Sequence, residues 1–308
     1  MVCVNVMTFT DASLTALRVF REVAERGTLT AAATALGYTQ SAVSRQIASL
    51  ERAAGTALLE RRHDGVRLTP AGRIVVRRAA AAIDQVDAAA RELAGIPEEL
   101  GTVRLGWFAT AGVFLVPRAL AALRETHPGI TVISREGSTP ALVRALRAGT
   151  IDLALLASAP PFRAPDAESP ALELHTLSER SLRIAVPSTH PLAHADVVDI
   201  EDLRGQRWIA GPGGEQYMGV WPGLDERPQV VHTARDWLAK LHLVAAGCGI
   251  TTAPAALTFA LPPGVRIIAV QGGPEEQRRI LLARLPRPVP EPVARLAAAI
   301  RAAASADG

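Results

Sequence analysis

Residues 28–69, TLTAAATALGYTQSAVSRQIASLERAAGTALLERRHDGVRLT, contain the pattern that decides the fold of the first part of this 308-residue chain. At 3.6 residues per turn, apolar residues form one stripe before residues 37–39 and a second stripe after them. The stripes are Leu29, Ala32, Ala33 and Leu36, followed by Val43, Ile47, Leu50 and Ala54. This spacing predicts two short helices joined by a tight turn.

The second predicted helix carries polar side chains well away from its apolar stripe. They fall within an arc of roughly 140° at helical geometry. Short polar groups beside a guanidinium are what a helix needs to contact base edges and phosphates in a major groove. The alternative is an ordinary solvated helix face. The side chains are Gln40, Ser41, Ser44 and Arg45.

A basic hairpin is predicted directly after this helix, over residues 58–68. The Asp64-Gly65 pair lies between two short flanks, which is the strongest short-range hairpin signal. The arms of the hairpin carry Arg61, Arg62 and Arg67. A basic hairpin behind a helix-turn-helix is typical of a wing that contacts phosphates or the minor groove of DNA.

The same stretch resembles a known family. VFREVAERGTLTAAATALGYTQSAVSRQIASLERAAGTALLERR, followed by VRLTPAG, is similar to the N-terminal winged helix-turn-helix of LysR-type transcriptional regulators. The shared features are the Ala-Ala pair, the Gln-x-x-Val-Ser-Arg-Gln-Ile core and the Leu-Thr-Pro-x-Gly exit. The predicted contacts to double-stranded DNA are Gln40, Ser41, Ser44, Arg45, Arg61 and Arg62.

Composition limits the class of protein. With 49% apolar residues, the chain can form two or three globular domains. The formal charge is +3, and Lys240 is the sole lysine among 33 basic residues, so charge alone does not indicate a nucleic-acid partner.

The cysteine content and the first residues indicate the cellular compartment in which the protein is expected. Cys3 and Cys248 are too few for a disulfide framework or a thiolate metal site, so a reducing cytoplasm is the simpler compartment. The first residues lack the basic and long apolar segments of a signal peptide, and Met7 is an alternative start. No stretch of about 18 uncharged apolar residues occurs. We therefore expect neither export nor a membrane span.

Another helix is predicted ahead of the helix-turn-helix, over residues 11–26. Gly27 suits its C-cap. Thr28 suits the N-cap of the next helix, so its hydroxyl is more readily structural than DNA-facing. The apolar residues at helical spacing are Leu14, Leu17, Phe20 and Val23.

A long helix is predicted to begin at Thr69-Pro70, because Pro suits the first helical position and no other Pro occurs before Pro97. Apolar residues then recur at alternating four- and three-residue steps, as in a coiled coil. The helix would be about 36 Å long. We expect this seam to pair with a second copy of the chain; the alternative is packing on its own domain. The seam is Gly72, Val76, Ala79, Ile83, Val86, Ala90 and Leu93.

From Thr102 onward, short strands alternate with helices, which predicts a mostly parallel α/β architecture. The strands are TVRLGWF, ITVISRE, DLALL, LRIAVP, QRWIAG and GVRIIAV, and the helices are LVPRALAALRET, PALVRALRAG, ARDWLAKLHLVAAG and the C-terminal PEPVARLAAAIRAAA. We expect two lobes, joined near residues 160–181 and 262–268. Loops are predicted at 157–171 and 211–223 because both are rich in Pro or Gly.

This second part also resembles the family. The segments GWFAT, LVPRAL, HPGITV, EGSTPALVRALRAGTIDLAL, HPL and LVAAGCGITTAP are similar to the periplasmic-binding-protein-like effector domain of LysR-type regulators. The resemblance implies a small-molecule effector between the lobes, a dimerising linker helix, a homodimer or homotetramer, and RNA polymerase as a candidate partner.

Hydroxyl groups follow two strands of the first predicted lobe. Thr110 follows the first strand, and Ser138 and Thr139 follow the second, each at the start of a helix. Adjacent parallel strands end at one edge, so these groups would converge on a site suited to a carboxylate or another polar organic ligand. The alternative is that each hydroxyl caps its own helix.

On the second lobe, the resemblance places Gly211, Gly213 and Thr233 toward the effector. Arg235 could balance a negative charge on the effector, although a solvated arginine on a first helical turn is equally expected.

Enzymatic and metal chemistry find little support. His190 and His194 are four residues apart, but Pro191 and the lack of acidic or cysteine partners at usual spacings argue against a metal site. No G-x-S-x-G, H-E-x-x-H or G-x-x-x-x-G-K motif occurs. We therefore assign no catalytic residue, cofactor or metal.

Three hypotheses remain: a ligand-responsive DNA-binding regulator, a solute-binding protein, and an α/β enzyme with an N-terminal dimerisation helix. The absent signal peptide opposes the second, and the missing catalytic constellation opposes the third. For the first, the expected domains are a winged helix-turn-helix at 1–69, a linker helix at 70–95 and an effector domain at 96–308. Its first lobe would cover about 101–180 and 266–308, and its second lobe about 181–265.

Overall fold

The structure, a computed structural model, describes most of the chain in two compact units. The described residues are 12–63, 65–93, 101–211, 219–224, 227–234, 236–254, 261–273 and 277–306. Unit 1 comprises residues 1–156, 164–175 and 281–308, and unit 2 comprises 157–163 and 176–280. No described helix is long and apolar enough to cross a membrane.

Three helices and a hairpin form the start of unit 1, in agreement with the predicted winged helix-turn-helix. Their apolar stripes meet in one core, which includes Phe20, Val23, Val43, Ile47 and Leu50. The elements are α1 (Leu14–Arg26), α2 (Leu29–Leu36), α3 (Gln40–Ala54), β1 (Leu59–Arg62) and β2 (Gly65–Leu68).

Side-chain caps determine where these helices begin. Ser13 Oγ accepts a hydrogen bond from the backbone N–H of Ala16 at 3.0 Å, so α1 begins at Leu14 rather than at the predicted residue 11. Thr28 caps α2 as predicted, since its Oγ1 accepts from Ala31 N–H.

The predicted hairpin is present, but Gly65 lies in its second strand, where it pairs with Arg62. Asp64 lies outside the described residues. Gly65 has φ +139°, and Val66 N–H donates to the carbonyl of Gly27 at 2.8 Å. A Cβ on Gly65 would overlap that carbonyl oxygen, so Gly65 allows the wing to pack against the end of α1.

The long helix α4 (Pro70–Leu93) begins as predicted, with Thr69 Oγ1 accepting from Gly72 N–H at 2.9 Å. However, the predicted seam is not one continuous pairing face. Val76, Ala79 and Ile83 are buried within the subunit, because α4 packs against α1 and against a later helix of unit 1. Val86, one turn beyond Ile83, is exposed.

The α/β part of unit 1 is a sheet with the strand order β4-β3-β5-β12. β3 pairs in parallel with both β4 and β5, as predicted. Helix α6 packs against α1 and α4, and α8 packs against α5. The elements are β3 (Gly101–Trp107), α5 (Ala109–Thr126), β4 (Ile130–Glu136), α6 (Thr139–Ala148), β5 (Leu153–Ser158), β12 (Gln277–Arg284) and α8 (Glu291–Ser305).

Unit 2 contains parallel and antiparallel strand pairs. β6 pairs antiparallel with β10 and β11, while β7 with β11 and β8 with β9 are parallel pairs. Strands β7, β9, β10 and β12 were not predicted; β7 and β10 are only 3 and 4 residues long. The elements are β6 (Glu173–Pro187), β7 (Val197–Asp199), β8 (Arg207–Ala210), β9 (Gln229–Thr233), α7 (Trp237–Ala245), β10 (Thr251–Pro254) and β11 (Val265–Gln271).

Strands β6 and β12 carry the chain from one unit to the other. The second passage lies at residues 280/281, inside β12, rather than near 262–268. β11 stays in unit 2 because it pairs with β6 and β7 there.

We expect Gly65→Ala to lower the free energy of unfolding by about 2–4 kcal/mol, because a Cβ would overlap the Gly27 carbonyl at an unfavourable φ. Gly37→Ala is the matched control: φ is +67°, no heavy atom lies within 4 Å of its Cβ position, and the expected cost is about 1 kcal/mol. Denaturation followed by circular dichroism measures both. Equal costs would show that the packing of the wing on α1 does not constrain Gly65.

Candidate DNA-binding face and effector site

The predicted DNA-binding side chains of α3 lie on its outer surface. Gln40, Ser41 and Arg45 are exposed and Ser44 is half-buried. The opposite face is fixed by burial of Val43, Ile47 and Leu50 in the core. The polar face is therefore presented to solvent by a helix that cannot rotate without exposing its apolar side.

The turn before α3 adds two polar groups that the sequence analysis did not assign. Tyr38 is 47% exposed. The hydroxyl of Thr39 caps α3 because it accepts a hydrogen bond from the N–H of Ala42, and it lies 3.0 Å from the hydroxyl of Ser41. A phenol and a helix N-terminus are both phosphate-contacting groups in protein–DNA complexes. The signal available in the sequence was an aromatic residue within a three-residue turn.

The wing presents its arginines to solvent. Arg61, Arg62 and Arg67 are all exposed, and Arg62 lies 3.5 Å from Glu60. An exposed pair at this distance contributes little stability, so the arginine remains available for a phosphate. The strands β1 and β2 thus form a second basic element, which follows α3 in the chain.

In unit 1, the predicted effector residues lie at the carboxyl edge of the β3–β4 pair. Trp107 ends β3 opposite Glu136 at the end of β4, and the N–H of Gly137 donates to the Trp107 carbonyl at 2.9 Å. α5 and α6 begin directly after these strands. Thr110 lies in the first turn of α5, while Ser138 is the N-cap and Thr139 the first residue of α6.

Of the three hydroxyls, the structure bears on the capping role of Ser138, the N-cap of α6. Neither Phe108, the N-cap of α5, nor Ser138 makes a side-chain capping hydrogen bond. Thr110 is 8% exposed, and the buried indole Nε1 of Trp107 has no hydrogen-bond partner among the described residues. Two helix starts without side-chain caps and an unpaired N–H donor suit a ligand with oxygen acceptors.

In unit 2, β8 and β9 end side by side. Ala210 pairs with Thr233, and Ala234 N–H donates to the Ala210 carbonyl at 2.9 Å. Gly211, which follows β8, is buried, and Thr233 is exposed. Gly213 and Arg235 lie outside the described residues. The two described residues of this prediction, Gly211 and Thr233, thus lie at the same strand edge.

Helix α6 also contacts the DNA-binding domain. The carboxylate of Glu25, near the end of α1, pairs with Arg135 at the end of β4, and the Glu25 carbonyl accepts from Arg144 Nε at 3.0 Å. Ala148 belongs to the apolar core of the winged helix, and the Cβ of Ala80 in α4 lies against Gly149. One helix therefore holds candidate effector residues at its start and packs on α1 and α4 along its length.

The histidine pair does not form a metal site in the described residues, where no cluster of three potential ligands occurs. His190 Nδ1 instead accepts from the N–H of Leu192, at the start of a short 3₁₀ turn that continues to His194.

Comparison with known proteins matches both parts of the chain to described families. Residues 14–73 match the family described as bacterial regulatory helix-turn-helix protein, lysR family, and residues 97–305 match the LysR substrate binding domain. The family assignment made from the sequence and the predicted fold class are thereby confirmed.

Three similar proteins illustrate the relationship. The chain is 37% identical over 182 residues to a probable hydrogen peroxide-inducible genes activator of Mycobacterium xenopi, covering 59% of this chain and 93% of that protein. It is 32% identical over 249 residues to the transcriptional dual regulator GltC of Bacillus subtilis, covering 79% and 81%. The crystal structure of full-length CbnR with its target DNA superposes with a TM-score of 0.57 at 24% identity, over 94% of this chain and 99% of that one.

These relatives are named as regulators and activators of transcription, as the absence of a catalytic constellation led us to expect. The two matched segments lie in the same order as the winged helix and the α/β part of the structure. The chain therefore belongs to the LysR family of bacterial transcriptional regulators.

Proposed function

We propose that this protein binds double-stranded DNA through α3 and the wing, and that a small-molecule effector controls this binding. The observation that carries the proposal is the exposed polar face of α3, which burial of its opposite side fixes and which exposed basic wing strands follow in the chain. A gel-shift assay on the DNA upstream of its own gene tests it: a shifted band is expected, and unrelated DNA of equal length is the control.

The proposed contacts divide by type. Gln40 and Ser44 contact base edges, Arg45 contacts a guanine edge or a phosphate, and Arg61 and Arg62 contact the backbone. Ser41, at the start of α3, lies beside the capping Thr39, where a phosphate is a suitable partner.

We propose a homodimer, or a homotetramer made of two dimers, that places two copies of α3 in successive major grooves of a dyad-symmetric site about 34 Å apart. The proposed pairing region is α4, where the apolar residues Ile74 and Val86 are exposed. The limits 1–69, 70–95 and 96–308 for the three domains are part of this proposal. A regulator that binds chromosomal DNA acts in the cytoplasm, and contact with RNA polymerase there is a further expectation from the family.

We propose two groups of effector-contacting residues, each taken within its own unit: Thr110, Ser138 and Thr139 in unit 1, and Gly211 with Thr233 in unit 2. Helix starts and hydroxyl groups favour an acceptor-rich ligand such as a carboxylate. Gly213 is proposed from the family resemblance alone.

The contact of α6 with α1 suggests how the signal reaches DNA. An effector that binds Ser138 and Thr139 acts on the start of α6, while Arg144 and Ala148 of the same helix contact the DNA-binding domain. A ligand can shift the position of that domain only by its differential affinity for two states. We propose that α6 and its contacts with α1 and α4 form the element that differs between those states.

Arg45→Ala should weaken binding to the specific site by roughly 1–3 kcal/mol while leaving non-specific binding intact, whereas Arg62→Ala should weaken all sequences alike and flatten the salt dependence. Titrations at several salt concentrations measure both effects. Arg301→Ala, an exposed arginine of α8, is the control and should change neither. Normal specific binding by Arg45→Ala would refute the assigned face.

Thr110→Val and Thr139→Val should abolish the effector response without changing operator affinity, since each replaces a hydroxyl by a methyl of similar volume. A thermal-shift screen of small organic acids identifies compounds that raise the Tm of the wild type; these should not raise the Tm of the variants. Thr126→Val is the control, because that hydroxyl donates to the Ala122 carbonyl at the far end of α5. An unchanged shift in both variants would remove these residues from the site.

Glu25→Arg and Arg135→Glu should each lower the free energy of unfolding by about 1–3 kcal/mol, because each leaves a partly buried charge beside a like charge. The double variant restores opposite charges and should recover most of this loss. In the wild type, operator affinity should differ between measurements with and without an active compound from the same screen. This difference should disappear in the single variants. Additive effects in the double variant would show that the ion pair does not connect α1 with β4 and α6.

A further inference from the structure

Glu51, in the last turn of α3, connects this helix to the first strand of the wing. One of its carboxylate oxygens, Oε1, accepts hydrogen bonds from the backbone N–H groups of Leu58 at 2.8 Å and of Leu59 at 3.2 Å. Glu51 is half-buried, while Leu58 is fully buried in the core of the winged helix. The two bonds therefore join α3 to the beginning of β1 at the edge of that core.

A carboxylate is a strong acceptor at this position. A hydrogen bond from a backbone N–H to an ionised carboxylate is about twice as strong as one between neutral groups. A backbone N–H beside the core is costly to leave without an acceptor. The entry to the wing is consequently held to α3 by a specific polar contact as well as by the burial of Leu58.

The wing depends on such contacts for its position. β1 and β2 form a two-stranded sheet of their own, and an isolated two-stranded hairpin is only marginally stable in water. In β2, the N–H of Val66 donates to the carbonyl of Gly27, at the end of α1. In β1, the N–H of Leu59 donates to Glu51 of α3. Each strand of the wing is thus hydrogen-bonded to a different helix.

The contact at Leu59 lies close to the wing residues that are proposed to contact DNA. Arg61 and Arg62 follow Leu59 by two and three residues within the same short strand. Apolar packing fixes α3 independently of Glu51, so loss of this contact would move the wing arginines and leave the polar face around Arg45 in place. The charge of Glu51 would by itself repel phosphates, which argues against a direct contact with DNA.

We infer that Glu51 is a positioning residue for DNA binding, which sets the placement of the wing arginines relative to the polar face of α3. This inference rests on the proposed function, because it assumes that both elements contact the same DNA. The alternative is that the two hydrogen bonds stabilise the fold and have no effect on the contribution of the wing.

Three substitutions separate the acceptor from the charge. Glu51→Ala removes both. Glu51→Gln keeps an oxygen acceptor at the same distance from the backbone and removes the charge, whereas Glu51→Asp keeps the charge on a side chain that is one methylene shorter. Each is made in the full chain, alone and together with Arg62→Ala or Arg45→Ala. Operator affinity is then titrated at several salt concentrations, where circular dichroism shows the variants to be folded.

In the wild type, Arg62→Ala should weaken operator binding and reduce the slope of log affinity against log salt by about one. In Glu51→Ala and Glu51→Asp the slope should already be lower by about two, one for each of Arg61 and Arg62, and adding Arg62→Ala should change affinity little. Glu51→Gln should keep most of the wild-type response to Arg62→Ala. Arg45→Ala should cost the same factor in every background.

Glu22→Ala is the matched control, because this carboxylate of α1 pairs with Arg26 and its removal changes the charge of the domain equally. It should leave the effect of Arg62→Ala unchanged. The inference is wrong if Arg62→Ala weakens Glu51→Ala and Glu51→Asp by the wild-type factor, or if Glu51→Gln also loses the contribution of the wing. The Asp and Gln variants answer the question even when Glu51→Ala does not fold.

The same titrations separate this inference from the proposed function. If the wild type does not bind its operator, or if Arg62→Ala leaves wild-type binding unchanged, the proposed contact of the wing with DNA fails. If the wild type and Arg62→Ala behave as proposed but the Glu51 variants retain the contribution of the wing, the inference about Glu51 alone fails.

Discussion

Burial of one side of α3 against α1 is the constraint on which the functional surface depends. Phe20 and Val23 of α1 pack with Val43, Ile47 and Leu50 of α3 in a core that excludes water. At roughly 1.5–3 kcal/mol for each large side chain, this burial fixes the rotation of α3 about its own axis. The polar residues on the other side consequently face outward, without any polar interaction having to hold them there.

The same core extends beyond the winged helix. It takes in Val76 from α4 and Ala148 from α6, so the DNA-binding domain, the linker helix and the α/β part of unit 1 share buried surface. The ion pair between Glu25 and Arg135 makes this contact more specific, because it pairs one charge on α1 with one opposite charge on β4. The proposed path from the start of α6 to α1 therefore runs through packed side chains.

Both units place their candidate ligand groups in the same kind of position, the carboxyl edge of parallel strands where helices begin. Unit 1 offers hydroxyls and N-caps without side-chain capping bonds at this edge, while unit 2 offers Gly211 and Thr233 where β8 and β9 end. Helix starts attract negative charge in either case.

Local periodicity in the sequence was enough to determine the three N-terminal helices, the wing, the start of α4 at Pro70 and the outward face around Arg45, since each depends on neighbours within a few residues. Strands such as β9 and β12 were not evident because pairing partners distant in the chain stabilise them. The tertiary structure alone decided that Val76 and Ile83 are buried within their own subunit and that Lys240 lies in an apolar interior. An apolar stripe specifies that a face is covered but not by what, and a single charged residue carries no local sign of the environment into which the fold brings it.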